Sequence, residues 1–247
     1  MNIRTVIALV VTGVSTASCF SQATDAGAPT TPPVKWDSSA AMGLTLTRGN
    51  SKTVNLVGDF QTARKWTQNE LSLGTSGNYG ENNGTTSSEE LRGYIQYNRL
   101  FGNHWFGYLR SDAIHDSIAD IHFRYTFSPG AGYYFIKNTN SSLRGEFGPG
   151  YVFERVGNND NDYATLRLAE RFDHKFNDRV KVWQSIELLP EITDFENFVL
   201  NAELGVEAGL TARLSLRVFI QDTLDNVPAP GRDKNDIKLV TAIAYKF

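Results

Sequence analysis

Three side chains capable of hydrolytic chemistry stand in a row at His115-Asp116-Ser117. A serine nucleophile, an imidazole base and an orienting carboxylate are the parts of an acyl-transfer triad. Consecutive residues of an extended chain point to alternate sides, so these three converge only at a sharp turn or with help from another segment. We read them as rim-loop residues, with a hydrolase acting on lipid or peptide as the alternative. The remaining histidines, His104, His122 and His174, lack metal-ligand spacing. Asn158-Asn159-Asp160-Asn161-Asp162 is rich in oxygen ligands but has neither the glycine nor the terminal glutamate of a hand-type calcium loop. No catalytic constellation, metal site or cofactor is expected from these patterns. A more coherent set is Arg110, Asp112, Arg144, Glu146, Glu203, Glu207 and Arg217, each placed in alternation with apolar residues.

That alternation defines the elements that position them. From Trp36 to Phe247 the sequence is a series of segments with period-two hydrophobicity, separated by turn-forming residues. The expected strands are 36–48, 52–64, 69–80, 88–100, 104–115, 121–136, 141–154, 162–175, 179–190, 197–210, 213–224 and 236–247. Leu71, Leu73 and Thr75 oppose Ser72, Gly74 and Ser76. Phe198, Leu200, Ala202, Leu204 and Val206 oppose Asn201, Glu203, Gly205 and Glu207, and Leu214, Leu216, Val218 and Ile220 oppose Arg213, Ser215, Arg217 and Gln221. An oily face and a charged face also describe a soluble sandwich, so alternation alone leaves the solvent open.

The connections decide it. Those after even-numbered strands are tight, as at Gly102-Asn103 and Asn177-Asp178. Most after odd-numbered strands are longer and polar: 81–89, 155–161, 191–196 and 225–235. Short turns on one rim and long loops on the other point to an antiparallel up-and-down transmembrane β-barrel with periplasmic turns and external loops. Gly49-Asn50-Ser51 departs from this pattern as a short hairpin on the loop side.

The chain begins with Arg4, an apolar run from Thr5 to Val14 and small residues ending in Ser21-Gln22-Ala23, the pattern of a signal peptide (1–23) cleaved after Ala23. The one cysteine, Cys19, follows Thr16-Ala17-Ser18, which resembles a lipoprotein box without the large aliphatic residue expected three positions earlier, so lipidation is left as the alternative to cleavage after Ala23. Residues 24–35 are Pro/Thr-rich without periodicity and read as a disordered leader, followed by a single barrel domain over 36–247. With 24 Lys+Arg against 27 Asp+Glu, no basic patch suits nucleic acid. Beyond the leader, no run of about 20 apolar residues forms a transmembrane helix. Trp36, Trp66, Tyr79, Phe101, Trp105, Phe127, Tyr134, Tyr151, Phe198 and Tyr245 fall near expected strand ends, as headgroup-level girdles require.

The last strand places Ile237, Leu239, Thr241, Ile243, Tyr245 and Phe247 on one face. It is similar to the terminal signature through which the barrel-assembly machinery recognises outer-membrane proteins, with Leu239, Thr241, Ile243, Tyr245 and Phe247 as the candidate positions. Three further patches extend the likeness: Gly43-Leu44-Thr45-Leu46-Thr47-Arg48-Gly49-Asn50-Ser51, the glycine-rich pair Ser128–Tyr134 and Gly145–Tyr151, and Pro228-Ala229-Pro230-Gly231 followed by Asp236. In this order, from Trp36 to Phe247, the sequence resembles the salt-induced outer membrane protein family, domain-of-unknown-function family 481. The resemblance implies an outer-membrane barrel and no established chemistry.

Three functions follow as expectations. The first is a non-catalytic outer-membrane barrel, either a small passive channel for polar solutes, porin-like, or an envelope and osmotic-stress protein. The second is the rim hydrolase resting on His115 and Ser117. The third is a structural or interaction barrel with a closed lumen. The seven charged residues are the candidate lumen lining, where they either pair into a plug or hold a hydrated path. Outer-membrane lipid and the assembly machinery are the expected partners.

Overall fold

The computed structural model describes residues 36–47 and 53–247. The leader residues, Cys19 and the Gly49-Asn50-Ser51 hairpin lie outside that range. Twelve antiparallel strands close on themselves: β1 (Trp36–Thr47), β2 (Thr53–Lys65), β3 (Asn69–Asn82), β4 (Thr85–Phe101), β5 (Trp105–Asp116), β6 (Ile121–Lys137), β7 (Ser141–Val156), β8 (Asn159–Lys175), β9 (Val180–Pro190), β10 (Phe198–Gly209), β11 (Leu214–Asp225) and β12 (Asn235–Lys246). Each strand pairs with its chain neighbours. The ring closes through four register pairs between β1 and β12, from Ser39↔Lys246 to Met42↔Ile243, far fewer than the twelve that join β1 to β2. That seam is the shortest backbone ladder in the barrel.

The period-two pattern becomes an outside and an inside. On β10, Leu204 and Val206 are exposed on the outer wall while Glu207 is buried within. On β12, Ile237, Leu239, Ile243 and Tyr245 face outward, with Ala242 and Ala244 buried opposite. Polarity is therefore inverted relative to a water-soluble fold: exposed apolar walls surround a buried, charged centre.

Two segments expected as loops belong to strands. Residues 81–89 continue β3 and β4 to a two-residue turn at Asn83-Gly84, with φ of 52° and 83°. Asparagine followed by glycine supplies these left-handed conformations at least cost. Residues 155–161 likewise continue β7 and β8, through Arg155↔Asp160 and Val156↔Asn159, around Gly157-Asn158. Both extensions rise past the apolar band, where both faces are polar and the alternation that reveals a strand is gone. Long connections on this far rim remain at 191–197 and 226–234, while the near rim, carrying the turns after even-numbered strands, keeps short ones throughout.

Tyr134 is also placed differently from expectation. It points inward and is buried beside Phe106, while its neighbours Tyr133 and Phe135 take the outer wall with Trp105. Inward aromatic rings lie across directly opposite glycines: Phe106 over Gly132, Tyr108 over Gly130, Tyr94 over Gly74 and Trp183 over Gly205. A β-carbon at any of these glycines would collide with the ring. The glycine-rich patches of the sequence are therefore seats for lumenal aromatics.

Candidate functional site

Twelve strands spaced about 4.8 Å apart and tilted about 40° enclose a circular section roughly 24 Å across. The side chains inside span less than this, yet they meet. Arg124 on β6 reaches Asp225 on β11 at 2.9 Å, and Lys238 on β12 pairs with Glu90 on β4. The walls β4–β6 and β11–β12 thus approach one another, and the section is flattened.

Several polar groups occupy the interior among the described residues. The central one is carried by β4, β5, β7, β8 and β9. Arg110 donates to both oxygens of Asp112 at 2.6 and 2.9 Å and to Gln96 Oε1 at 3.0 Å. Gln96 donates across the lumen to Glu146 at 2.9 Å, and Arg167 bridges Glu146 at 2.7 Å and Glu187 at 2.6 Å. Tyr94 and Tyr108 lie against the guanidinium groups of Arg110 and Arg167, with ring centroids 4.7 and 5.2 Å away. Arg144 stands 3.1 Å from Glu146. Arg167 is 3% exposed and Glu146 7%, so this half of the section is packed rather than water-filled.

Toward the near rim, Glu70 accepts from Tyr134 Oη at 2.6 Å and Asn98 Nδ2 at 3.2 Å, joining β3, β4 and β6. Beside the seam, Glu207 on β10 is 1% exposed and accepts from Ser215 at 2.9 Å, with Lys246, Lys181 and Arg217 at 2.6, 3.1 and 3.1 Å. Arg217 then passes over β12 and β1 to Asp59 on β2 at 2.6 Å, and its Nη2 lies 3.3 Å from Ser39 Oγ on β1. One guanidinium spans the short β1–β12 ladder. Toward the far rim, Arg124 pairs with Glu154 and Asp225, and Glu90 binds Arg92 and Lys238.

The side opposite the packed half is more open. Along the inward face of β2, Asn55, Gln61 and Lys65 are exposed, whereas Asp59, between Asn55 and Gln61, is covered by Arg217. At the far rim a cavity of about 390 Å³ is lined by Asn55, Asn78, Ser88, Asp116 and Lys238 among others. Along this wall the far-rim cavity and the exposed Gln61 and Lys65 lie on opposite sides of the Asp59–Arg217 pair.

All seven charged residues singled out in the sequence take part in these contacts, Glu203 accepting from Trp183 Nε1 and, at 2.9 Å, from Gln221. Their partners Asp59, Gln96, Arg167 and Glu187, and the interior Glu70 and Arg124 of the other groups, lie outside the set read from the sequence. The parity of each on its strand marks the inner face, but a partner many strands away leaves no local trace.

The His115-Asp116-Ser117 segment folds otherwise than a triad. Ser117 Oγ lies 3.2 Å from His115 Nε2, and His115 Nδ1 is 2.8 Å from the His122 carbonyl. The Asp116 carboxylate instead caps the turn, accepting from the amides of Ile118 and Ala119 at 2.9 Å. His104 stacks on Tyr133, and His174 meets Ser141 at 2.8 Å. In the acidic segment, Asp160 is held by Arg155 at 2.5 Å and Asp162 accepts from Tyr151.

The family described as protein of unknown function, DUF481, matches residues 40–247. No curated protein matches. Among solved structures the chain is similar to the KdgM porin, at 8% identity over 86% of this chain and 99% of that one, with a TM-score of 0.47. The NanC porin gives 9% over 85% and 96%, TM-score 0.48. The translocator domain of the autotransporter NalP from Neisseria meningitidis gives 13% over 86% and 87%, TM-score 0.43.

Proposed function

The chain belongs to the DUF481 family of proteins of unknown function, and we propose that it spans the bacterial outer membrane as a non-catalytic, narrow channel for small polar solutes and ions. The exposed apolar outer wall around a charged interior supports the membrane reading. In this reading the near rim is periplasmic and the far rim external, export follows cleavage after Ala23, and the face of Leu239, Thr241, Ile243, Tyr245 and Phe247 is the surface read by the barrel-assembly machinery before it meets lipid.

The observation that carries the channel reading is the exposure of Asn55 and Gln61 on either side of the covered Asp59. A barrel filled evenly by ion pairs would bury all three. The packed half around Arg167 and Glu146 sets the small bore, and the Asp59–Arg217 level narrows it further. A channel of this kind equilibrates small osmolytes across the envelope, in keeping with a role under osmotic stress.

Efflux from proteoliposomes tests the reading. Folded protein should release ions and urea-sized solutes quickly and retain a trisaccharide, and Gln61→Trp should slow the small-solute efflux severalfold. Vesicles that hold every solute as tightly as protein-free controls would leave the closed barrel as the better account.

A further inference from the structure

The outer wall carries a hydrogen-bonded carboxyl–carboxamide pair at mid-depth that a lipid-facing surface does not explain. Glu170 on β8 and Gln184 on β9 both point outward, Glu170 between Leu168 and Phe172 and Gln184 between Val182 and Ile186, and Gln184 Nε2 donates to Glu170 Oε2 at 2.9 Å. Their depth follows from the register. Phe101, Trp105, Tyr133, Gly145, Glu170, Ile186, Ala202, Asp222 and Ile237 are paired in succession from β4 to β12. Phe101 ends β4 at the near rim, and Ile237 begins β12 at the far rim. With strands tilted about 40°, such a row climbs about 3 Å per strand, so Glu170, four strands along, stands about 12 Å up an apolar band about 25 Å tall. This is mid-depth, where an ionisable group in contact with hydrocarbon is most costly. The Gln184 bond uses one amide hydrogen and one carboxyl oxygen, leaving donor and acceptor capacity aimed outward.

A second observation falls on the same sector. Near-rim aromatics ring most of the outer wall: Trp36 on β1, Phe101 and Trp105 at the β4–β5 turn, Tyr133 and Phe135 on β6, Phe172 on β8, Tyr245 on β12. Across β9 to β11 the corresponding outward positions are Val180, Ala208 and Leu214. The aromatics of these strands are Trp183 and Phe219, which turn inward against each other, and Phe198 at the far rim. The near-rim girdle runs through β8 in Phe172 and the turn residue Phe176 and is then interrupted across β9 to β11, on the Gln184 side of the polar pair.

We infer that the β8–β11 wall is the contact surface of a homodimer, covered by a second copy of this chain rather than by lipid. A carboxyl–carboxamide pair is self-complementary: in a two-fold contact each Glu170 meets the Gln184 of the other copy, which completes both sets of hydrogen bonds away from hydrocarbon. The small Ala202 between Ile186 and Asp222 lets the two sheets approach. This inference rests on the membrane-spanning reading.

Disulfide trapping in isolated outer membranes tests it, on a Cys19→Ser background that leaves no other cysteine. Ile186→Cys should give a band at twice the chain mass after mild oxidation, and Leu109→Cys, on the far side of the barrel, should stay monomeric. In mild detergent the Glu170→Leu/Gln184→Leu variant should sediment as a monomer while keeping the heat-modifiable mobility of a folded barrel, and the native chain should sediment as a dimer. Membrane-inserted protein that gives no trapped dimer, equal trapping at both positions, an adduct of Ile186→Cys with a different protein, or a double variant that remains dimeric would each overturn the homodimer. Recovery of the protein in the soluble fraction would instead defeat the membrane reading beneath it.

Discussion

Replacing Arg217 with alanine isolates the clamp over the β1–β12 seam. The guanidinium serves Asp59 at 2.6 Å, Glu207 at 3.1 and 3.3 Å and Ser39 at 3.3 Å. Its loss does not strand both carboxylates equally. Glu207 keeps Lys246 at 2.6 Å and Lys181 at 3.1 Å. Among the described residues Asp59 keeps only the Gln61 amide, at 3.2 Å. One largely buried carboxylate loses its counter-charge, and breaking such a pair from one side costs about 3–5 kcal/mol. The exposure of Gln61 beside Asp59 places Arg217→Ala near the lower end, about 3 kcal/mol. Removing the carboxylate as well should recover most of this, because replacing both members of a buried pair by apolar groups is roughly neutral. Urea unfolding in lipid vesicles, followed by tryptophan fluorescence, measures both variants. A loss below about 1 kcal/mol for Arg217→Ala, or an Arg217→Met/Asp59→Leu variant no more stable than Arg217→Ala, would refute the clamp.

Other consequences can be checked independently. Gly205→Val should destabilise the barrel by about 1–3 kcal/mol through displacement of the Trp183 ring, and a shifted tryptophan emission should accompany the loss. An epitope inserted between Asn83 and Gly84 should leave the fold intact and bind antibody on whole cells, since the turn crowns a far-rim extension; binding only after lysis would invert the proposed orientation. His115→Ala should leave ester hydrolysis by the purified protein unchanged, because Asp116 is committed to backbone amides; a drop in turnover would revive the rim hydrolase.

The strand plan was legible because a closed barrel with an apolar outer wall and a charged interior writes that difference into alternate residues. All twelve strands lie within three residues of the expected bounds. Where both faces meet water the code fades, which is why 81–89 and 155–161 read as loops while the chain pairs them as strand. Tyr134 failed for a related reason: proximity to a strand end does not fix which way a ring points, and the opposite parity of Tyr133 does. The ion-pair partners were hidden more deeply. Arg217 and Asp59 are 158 residues apart, and Arg124 and Asp225 101. Alternation assigns a residue to the lumen, but only closure and flattening of the barrel decide what it meets there. Glu170 was hidden in the same way, since its depth on the outer wall emerges from pairing carried across nine strands.

The most direct test of the central claim is single-channel recording in planar bilayers with the native protein and Arg217→Ala side by side. A hydrated path narrowed at one level predicts small, discrete conductance steps for the native barrel. The variant should show severalfold larger steps with a shift toward cation selectivity, because Asp59 and Glu207 stay behind when the guanidinium goes. Folded native protein that never conducts, or steps unchanged in size and selectivity in the variant, would contradict it.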